Sequence, residues 1–254
     1  MTEENKIVRL NNKPSKPDSR DIVYVPKNVQ LPESISLKEY AGNIENQSNL
    51  GSCTANAITS GYEIIAKILY PEQFVELSSL FVYYHSRLFS DELDIDGGSY
   101  IRDGLKSINN YGVCSQELWP YDITKFTDQP YPRCYLDATK RKITSYSILY
   151  TNSEIKEVLV GKRPVVVSME IFQGFPSITK ENPYVPMPDT FTYSLGYHAV
   201  LIIGYDDTTR QFLIKNSYGS DWGDNGYAYI PYNYITQHAI ERWCFDINNQ
   251  STTL

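Results

Sequence analysis

The pattern of apolar residues changes character midway along the chain, and that change restricts the fold more than any single motif does. After Ser52, Ile58, Tyr62, Ile65 and Leu69 recur at spacings of four, three and four, which is one face of an α-helix, and Pro71 ends the run. The same reasoning predicts a second helix from Ser78 through Tyr84 and a third over Tyr100–Asn109, behind the Gly97-Gly98 turn. From Val165 onward the runs become short and β-branched or aromatic: Val165–Met169, His198–Tyr205, Gln211–Lys215 and Gly226–Ile230. Turn signals such as Tyr205-Asp206-Asp207 and Gly223-Asp224-Asn225-Gly226 separate them. Helices first and strands later predict an α+β protein with two sub-domains.

A chain of 254 residues that is 41% hydrophobic can bury a packed core. Its 23 basic and 30 acidic residues are spread without long runs of either sign, and no basic stripe marks a nucleic-acid partner. The N-terminal MTEENKIVRL has no apolar core of a secretory signal, and stretches such as Ala199–Ile203 and Val165–Val167 are too short to span a bilayer. An intracellular location is therefore expected, with no membrane partner. In that setting Cys53, Cys114, Cys134 and Cys244 are expected to be free thiols, with a Cys114–Cys134 bridge left open. Residues 1–30 read as a polar arm, broken at Asn11-Asn12-Lys13-Pro14 and Lys16-Pro17-Asp18, with Ile22–Pro26 apolar enough to lie on a surface. No metal and no cofactor are expected.

A lone cysteine is more often a small core residue than a nucleophile. Cys53, however, stands at the first turn of the first helix, where unpaired N–H groups and the macrodipole favour a thiolate. A nucleophilic sulfur needs a base, and the chain has three histidines. His85 sits in the aromatic stretch after Phe81 and reads as a packing or helix-surface residue, and His238 sits in polar Thr236-Gln237-His238. His198 opens a strand, a rigid mount for an imidazole that must face another sub-domain. Asn216 follows 18 residues later, after the next strand, and a hairpin returns its amide oxygen to the second ring N–H. Gln47, six residues before Cys53, supplies an amide donor for an oxyanion beside the Cys53 backbone N–H.

With these roles assigned, the sequence resembles the papain-like cysteine peptidases, of the cathepsin-like, disulfide-poor type found in bacteria, archaea and large DNA viruses. Gln47-Ser48-Asn49-Leu50-Gly51-Ser52-Cys53 is similar to the family's oxyanion-glutamine and nucleophile motif. His198-Ala199-Val200 with Gly204-Tyr205 is similar to its histidine strand. Lys215-Asn216-Ser217-Tyr218-Gly219-Ser220-Asp221-Trp222-Gly223 with Asn225-Gly226-Tyr227 resembles its asparagine motif. Leu31-Pro32-Glu33-Ser34-Ile35, Glu76-Leu77-Ser78 and Asp96-Gly97-Gly98-Ser99 extend the likeness over roughly residues 31–235. The resemblance implies a peptidase domain over residues 31–254, with a helical left lobe (about 42–140), a β-barrel-like right lobe (about 141–254) and a cleft between them.

It further implies a Cys53–His198 thiolate–imidazolium pair and an acyl-enzyme route for peptide or protein substrates. Gly97 and Gly98 would align the substrate backbone, and Gly196 and Tyr197 would border the pocket for the second residue upstream of the cut, with an apolar or aromatic preference. Leu50 and the glycine pair lack the cysteines of secreted members, Thr54 replaces a tryptophan, and Tyr218 replaces the tryptophan that shields the Asn–His bond, while Trp222 is kept. Tyr218 is therefore expected to shelter that bond less completely. No histidine lies between His85 and His198, which favours endopeptidase over carboxydipeptidase action. Only about 30 residues precede the mature-like start, so the arm is expected to be a short pro-segment or cleft cover, as in a zymogen. The rival reading is a catalytically silent binding protein or virion component on the same fold.

Overall fold

The computed structural model describes residue 10 and residues 12–247. Residues 1–9 and 11 of the expected arm, and residues 248–254, lie outside the described residues. In chain order the elements are β1 (Ser34–Ser36), α1 (Cys53–Leu69), α2 (Ser79–Leu88), α3 (Ile101–Asn110), α4 (Pro132–Ala138), β2 (Ile143–Ile148), α5 (Asn152–Val160), β3 (Val165–Phe172), β4 (Ser194–Asp206), β5 (Gln211–Lys215), β6 (Tyr227–Pro231), α6 (Tyr232–His238) and β7 (Ala239–Ile247). Four helices thus precede most of the sheet, as the change in periodicity predicts, and the protein is α+β.

Among the described residues, seven strands form one antiparallel sheet in the order β2-β7-β3-β4-β5-β6, with β1 added to the far half of β4. The sheet stays open. The barrel-like lobe expected from the resemblance is thus an unclosed sheet, with β2 and β6 unjoined at its edges, and α1 packs against its central strands β4, β3 and β7. No helix among the described residues is long and apolar enough to cross a membrane.

α1 is buried continuously from Cys53 to Ile65, wider than the single apolar stripe of its sequence. Small residues make this feasible: Ala55, Ala57, Ser60 and Gly61 let β4, α2 and α3 approach it from different sides. Ile58, Leu80, Phe81, Ile101 and Leu105 fill the helical side, each fully buried. Local signals set the other helices. Ser78 accepts from the Phe81 N–H at 3.1 Å at the start of α2. Thr151 and Glu154 form a reciprocal capping box at α5.

The arm does not float. The Tyr24 N–H donates to Ile148 O (2.9 Å) and the Ile148 N–H to Ile22 O (2.8 Å), so residues 22–24 run beside β2. Asp21 takes both forks of Arg102 from α3 at 2.8 and 2.6 Å. The Tyr24 hydroxyl donates to Glu157 of α5 at 3.1 Å. All four cysteines are free and buried, with Cys114 and Cys134 as neighbours that are not bridged.

Candidate active site

The N-terminus of α1 meets β4, and this junction brings the sequence-predicted residues together. Cys53 is the first residue of α1 and fully buried. Ser52 precedes it without capping the helix. Its hydroxyl is instead held by Tyr121 (2.5 Å) and by the Asn56 amide (3.0 Å). The Cys53 sulfur receives the backbone N–H of Ala199, the residue after His198. His198 Nε2 meets Asn216 Oδ1 at 2.7 Å, and Nδ1 finds no hydrogen-bond partner among the described residues. The two residues sit on β4 and just past β5, whose antiparallel register runs through Leu201 and Lys215.

Tyr218 lies against the imidazole with ring centroids 4.7 Å apart, tilted by 35°. Phe175 packs on Trp222 at 5.1 Å, and the indole N–H donates to Phe175 O at 3.1 Å. The Asn216 side chain is buried beneath these rings.

Gln47 is buried and fixed at both ends of its amide. Nε2 donates to Leu50 O (3.0 Å) and Oε1 accepts from the Ser217 hydroxyl (2.6 Å). The Ser217 carbonyl accepts the Gln47 N–H at 2.9 Å, and Tyr121 donates to Gln47 O at 3.1 Å. Neither Ser217 nor Tyr121 is given a role by the sequence. Ser217 was visible as the neighbour of Asn216, whereas nothing local to Tyr121 marked it.

The electrostatics differ from the expected ion pair. Burial pushes the Cys53 thiol up to about 11, against three backbone N–H groups that favour the thiolate less strongly. Burial pushes His198 down to about 4, only partly offset by the bond to Asn216. Both groups are therefore neutral at pH 7 in this structure, because each charged form would be stripped of water. The helix N-terminus is present, but desolvation outweighs it.

The arm is the neighbour that crosses here. Asn12 N donates to Tyr197 O (3.3 Å) and Lys13 N to Ser99 O (3.2 Å), one contact on each lobe. The Asn12 amide also donates to the buried Ser168 hydroxyl, and Lys13 pairs with Glu92. Gly196 has φ +122°, and a Cβ there would come within 3.3 Å of Leu10 O. Gly98 has φ +77°, a backbone shape only glycine holds without strain. A side chain on Gly97 would come within 3.2 Å of Lys13 Nζ. The glycine pair and Gly196-Tyr197 thus face each other across Leu10, Asn12 and Lys13.

Past Asn216 the cleft is open. A cavity of about 440 Å³ lies between Gln47–Asn49 on one wall and Pro176–Thr179, Tyr218 and Trp222 on the other. His85, by contrast, is enclosed in the helical lobe, bonded to Phe81 O (2.8 Å) and the Tyr135 hydroxyl (3.2 Å). His238 ends α6, 4.0 Å from Glu170. Neither reaches the cleft. Among the described residues no group of three or more His, Cys, Asp or Glu is arranged to hold a metal.

Residues 31–245 match the family described as papain family cysteine protease. The chain is 34% identical to an uncharacterized peptidase C1-like protein of Acanthamoeba polyphaga mimivirus, covering 89% of this chain and 82% of that one. It is 29% identical to chymopapain of Carica papaya over 83% of this chain, and spans 57% of that relative's length. The crystal structure of xylellain, a cysteine protease from Xylella fastidiosa, superimposes with a TM-score of 0.85 at 30% identity, covering 97% of this chain and 98% of xylellain.

Proposed function

The chain belongs to the papain family of cysteine proteases, and we propose that it is an endopeptidase working through a Cys53 acyl-enzyme under the control of its own N-terminal arm. The observation that carries this reading is the His198–Asn216 hydrogen bond with Nδ1 left over, mounted on the strand whose Ala199 N–H touches the Cys53 sulfur.

Asn216 holds one ring nitrogen, so the other is the group that takes the thiol proton. The Cys53 sulfur then attacks the peptide carbonyl, and the carbonyl oxygen collects its charge between the Cys53 backbone N–H and the Gln47 amide. His198 gives its proton to the leaving amine, which departs through the open side. Water enters, gives a proton to His198 and attacks the acyl carbon, and the thiol is regenerated.

The arm controls the start of this cycle. Leu10, Asn12 and Lys13 occupy the strip between the glycine pair and Gly196-Tyr197, where an extended substrate would lie. Displacing them admits water to Cys53 and His198 and lets the charged pair form. The arm is held here by backbone hydrogen bonds from Asn12 and Lys13, by the Asn12 amide and by the Lys13–Glu92 ion pair. Asn12 Oδ1 is buried without a partner among the described residues, a defect of about 1–3 kcal/mol that keeps the closure reversible.

The test combines labelling with turnover. In the Lys13→Glu form, whose arm is loosened, a thiol-directed epoxide should modify Cys53 ahead of the other three thiols, and a quenched peptide should be cut internally. Both should disappear in Cys53→Ala and fall steeply in His198→Ala. Even labelling of all four thiols with no cleavage would favour a silent binding protein instead.

A further inference from the structure

Cys53 sits between two residues whose polar groups reach the loop that carries the glycine pair. Two positions before it, the Gly51 N–H donates to Asp96 Oδ1 at 2.9 Å. One position after it, the Thr54 hydroxyl bonds the Ser99 hydroxyl, and both side chains are buried. Residues 51–54 and 96–99 are therefore stitched together on both sides of the nucleophile. No covalent link joins them, since all four cysteines are free.

The loop has no helix or strand between Leu88 and Ile101, so side chains must fix its course. Arg87, fully buried near the end of α2, donates to Leu93 O at 2.7 Å and to Ile95 O at 3.2 Å. These two bonds deliver the chain to Asp96. Tyr83, one turn earlier on α2, donates to the same Asp96 oxygen at 2.5 Å and accepts the Gly98 N–H at 3.3 Å. The carboxylate thus gathers one donor from α2 and one from the approach to α1, and the tyrosine passes that position on to Gly98. A charged acceptor makes both bonds stronger than a neutral one would. The backbone acceptor that an extended chain then meets is Ser99 O, and the arm uses it: the Lys13 N–H donates there at 3.2 Å.

Taking the endopeptidase reading above as its basis, we propose that Asp96 and Thr54 are positioning residues, which together fix the Ser99 carbonyl relative to Cys53 so that a peptide bound to that carbonyl presents its scissile bond to the sulfur. Thr54 holds the side chain of the residue whose carbonyl pairs with the peptide. Asp96 holds the other end of the same segment against the residue two before the nucleophile. Releasing either lets the segment drift from α1, and contacts far from the reacting carbon then no longer orient it. The carboxylate has a cost at the same place, because its charge adds to burial in keeping the Cys53 thiol protonated. Asparagine would keep the acceptor without that charge, so alignment and charge separate by experiment.

The test uses the full chain carrying Lys13→Glu, which sets two like charges together at Glu92 and loosens the arm. Two activated-ester substrates with the same leaving group are compared by kcat/KM, one with a single residue upstream of the cut and one with three. Only the longer has backbone to place on Ser99 O. Its advantage should fall by about tenfold in Asp96→Ala and in Thr54→Val. It should return to within about twofold of the parent in Asp96→Asn and Thr54→Ser, which keep the acceptor and the hydroxyl. Thr54→Val is close to the parent in volume, so it reads the contact even where Asp96→Ala does not fold. A merely structural role would lower the urea midpoint and leave the advantage unchanged. An advantage unmoved by Thr54→Val, or lost equally in the two conservative variants, overturns the proposal while leaving the peptidase reading intact. Absence of cleavage of either substrate by the parent counts against the peptidase reading. The contact is then read by calorimetric binding of a peptide with the longer sequence to the Cys53→Ala form. Binding about tenfold weaker in Thr54→Val supports the proposal, and equal binding, or none in the parent, overturns it.

Discussion

The two sides of the cleft are in different states. Upstream of His198, Asn12 and Lys13 of the arm bridge Tyr197 and Ser99, and burial holds Cys53 and His198 toward their neutral forms. Downstream of Asn216, an open space of about 440 Å³ is already walled by Gln47, Tyr218 and Trp222. The side proposed to hold the oxyanion and leaving group is already fixed by hydrogen bonds among Gln47, Ser217, Leu50 and Tyr121, whereas the side proposed to align a substrate is crossed by the chain itself. Restraint in this molecule concerns access and charge state on one side, with no rebuilding required on the other.

The sharpest way to break that comparison is at the prebuilt side. Gln47→Ala should lower kcat by about 10²–10³-fold with little change in KM, because the amide acts on charge that exists only in the transition state. A loss confined to KM would mean that Gln47 only shapes the cavity.

The next effect is on stability in acid. His85 and His198 are both pushed down to about 4 from 6.5 by burial. The unfolded chain binds protons first on acidification, so each contribution is complete above pH 6.5 and is lost as pH falls toward 4, by about 3 kcal/mol per histidine. Urea melts between pH 6.5 and 4 should show this limb. Lys13→Glu should flatten the share of His198, under the arm, and His85→Phe the share of the enclosed ring. If neither variant changes the slope, the burial assigned to these rings does not govern it. Glu63 runs the other way: burial and the Glu45 charge push it up to about 8, so its contribution is complete below the usual carboxylate range and fades as pH rises through 8.

The smallest effect separates the two parts of the arm. Arg102→Ala should cost about 1–2 kcal/mol of stability, since it releases a two-forked, half-buried pair to Asp21. It should leave the basal cleavage rate unchanged, because residues 10–13 are held elsewhere. A tenfold rise in rate would merge the two parts into one latch.

The positions of Cys53, His198, Asn216 and Gln47 were legible because each sits at the edge of an element with a clear period or within a dense motif. β7 was not. Its run Ala239–Ile247 carries Glu241 and Arg242 at inward positions, and two buried charges erase the apolar pattern of a central strand. α5 announced itself through Thr151 and Glu154, a cap spacing the periodicity search passed over. The openness of the sheet and the neutral state of Cys53 depend on which elements cover which, and no local run of residues encodes that. The arm was legible as an arm, but its anchors, Asp21 to Arg102 and Tyr24 to Glu157, pair residues 81 and 133 positions apart.

The central claim is that Cys53 is held unreactive by the arm at Asn12 and Lys13, on one side of a site otherwise complete. It is tested most directly by the rate of iodoacetamide alkylation at pH 7 in the full chain and in its Lys13→Glu variant, read residue by residue by mass spectrometry. Loosening the arm should speed alkylation of Cys53 by about tenfold, the factor that corresponds to ~1.4 kcal/mol, while Cys114, Cys134 and Cys244 keep their rates. Equal Cys53 rates in the two proteins, or a parallel rise at all four thiols, would contradict it.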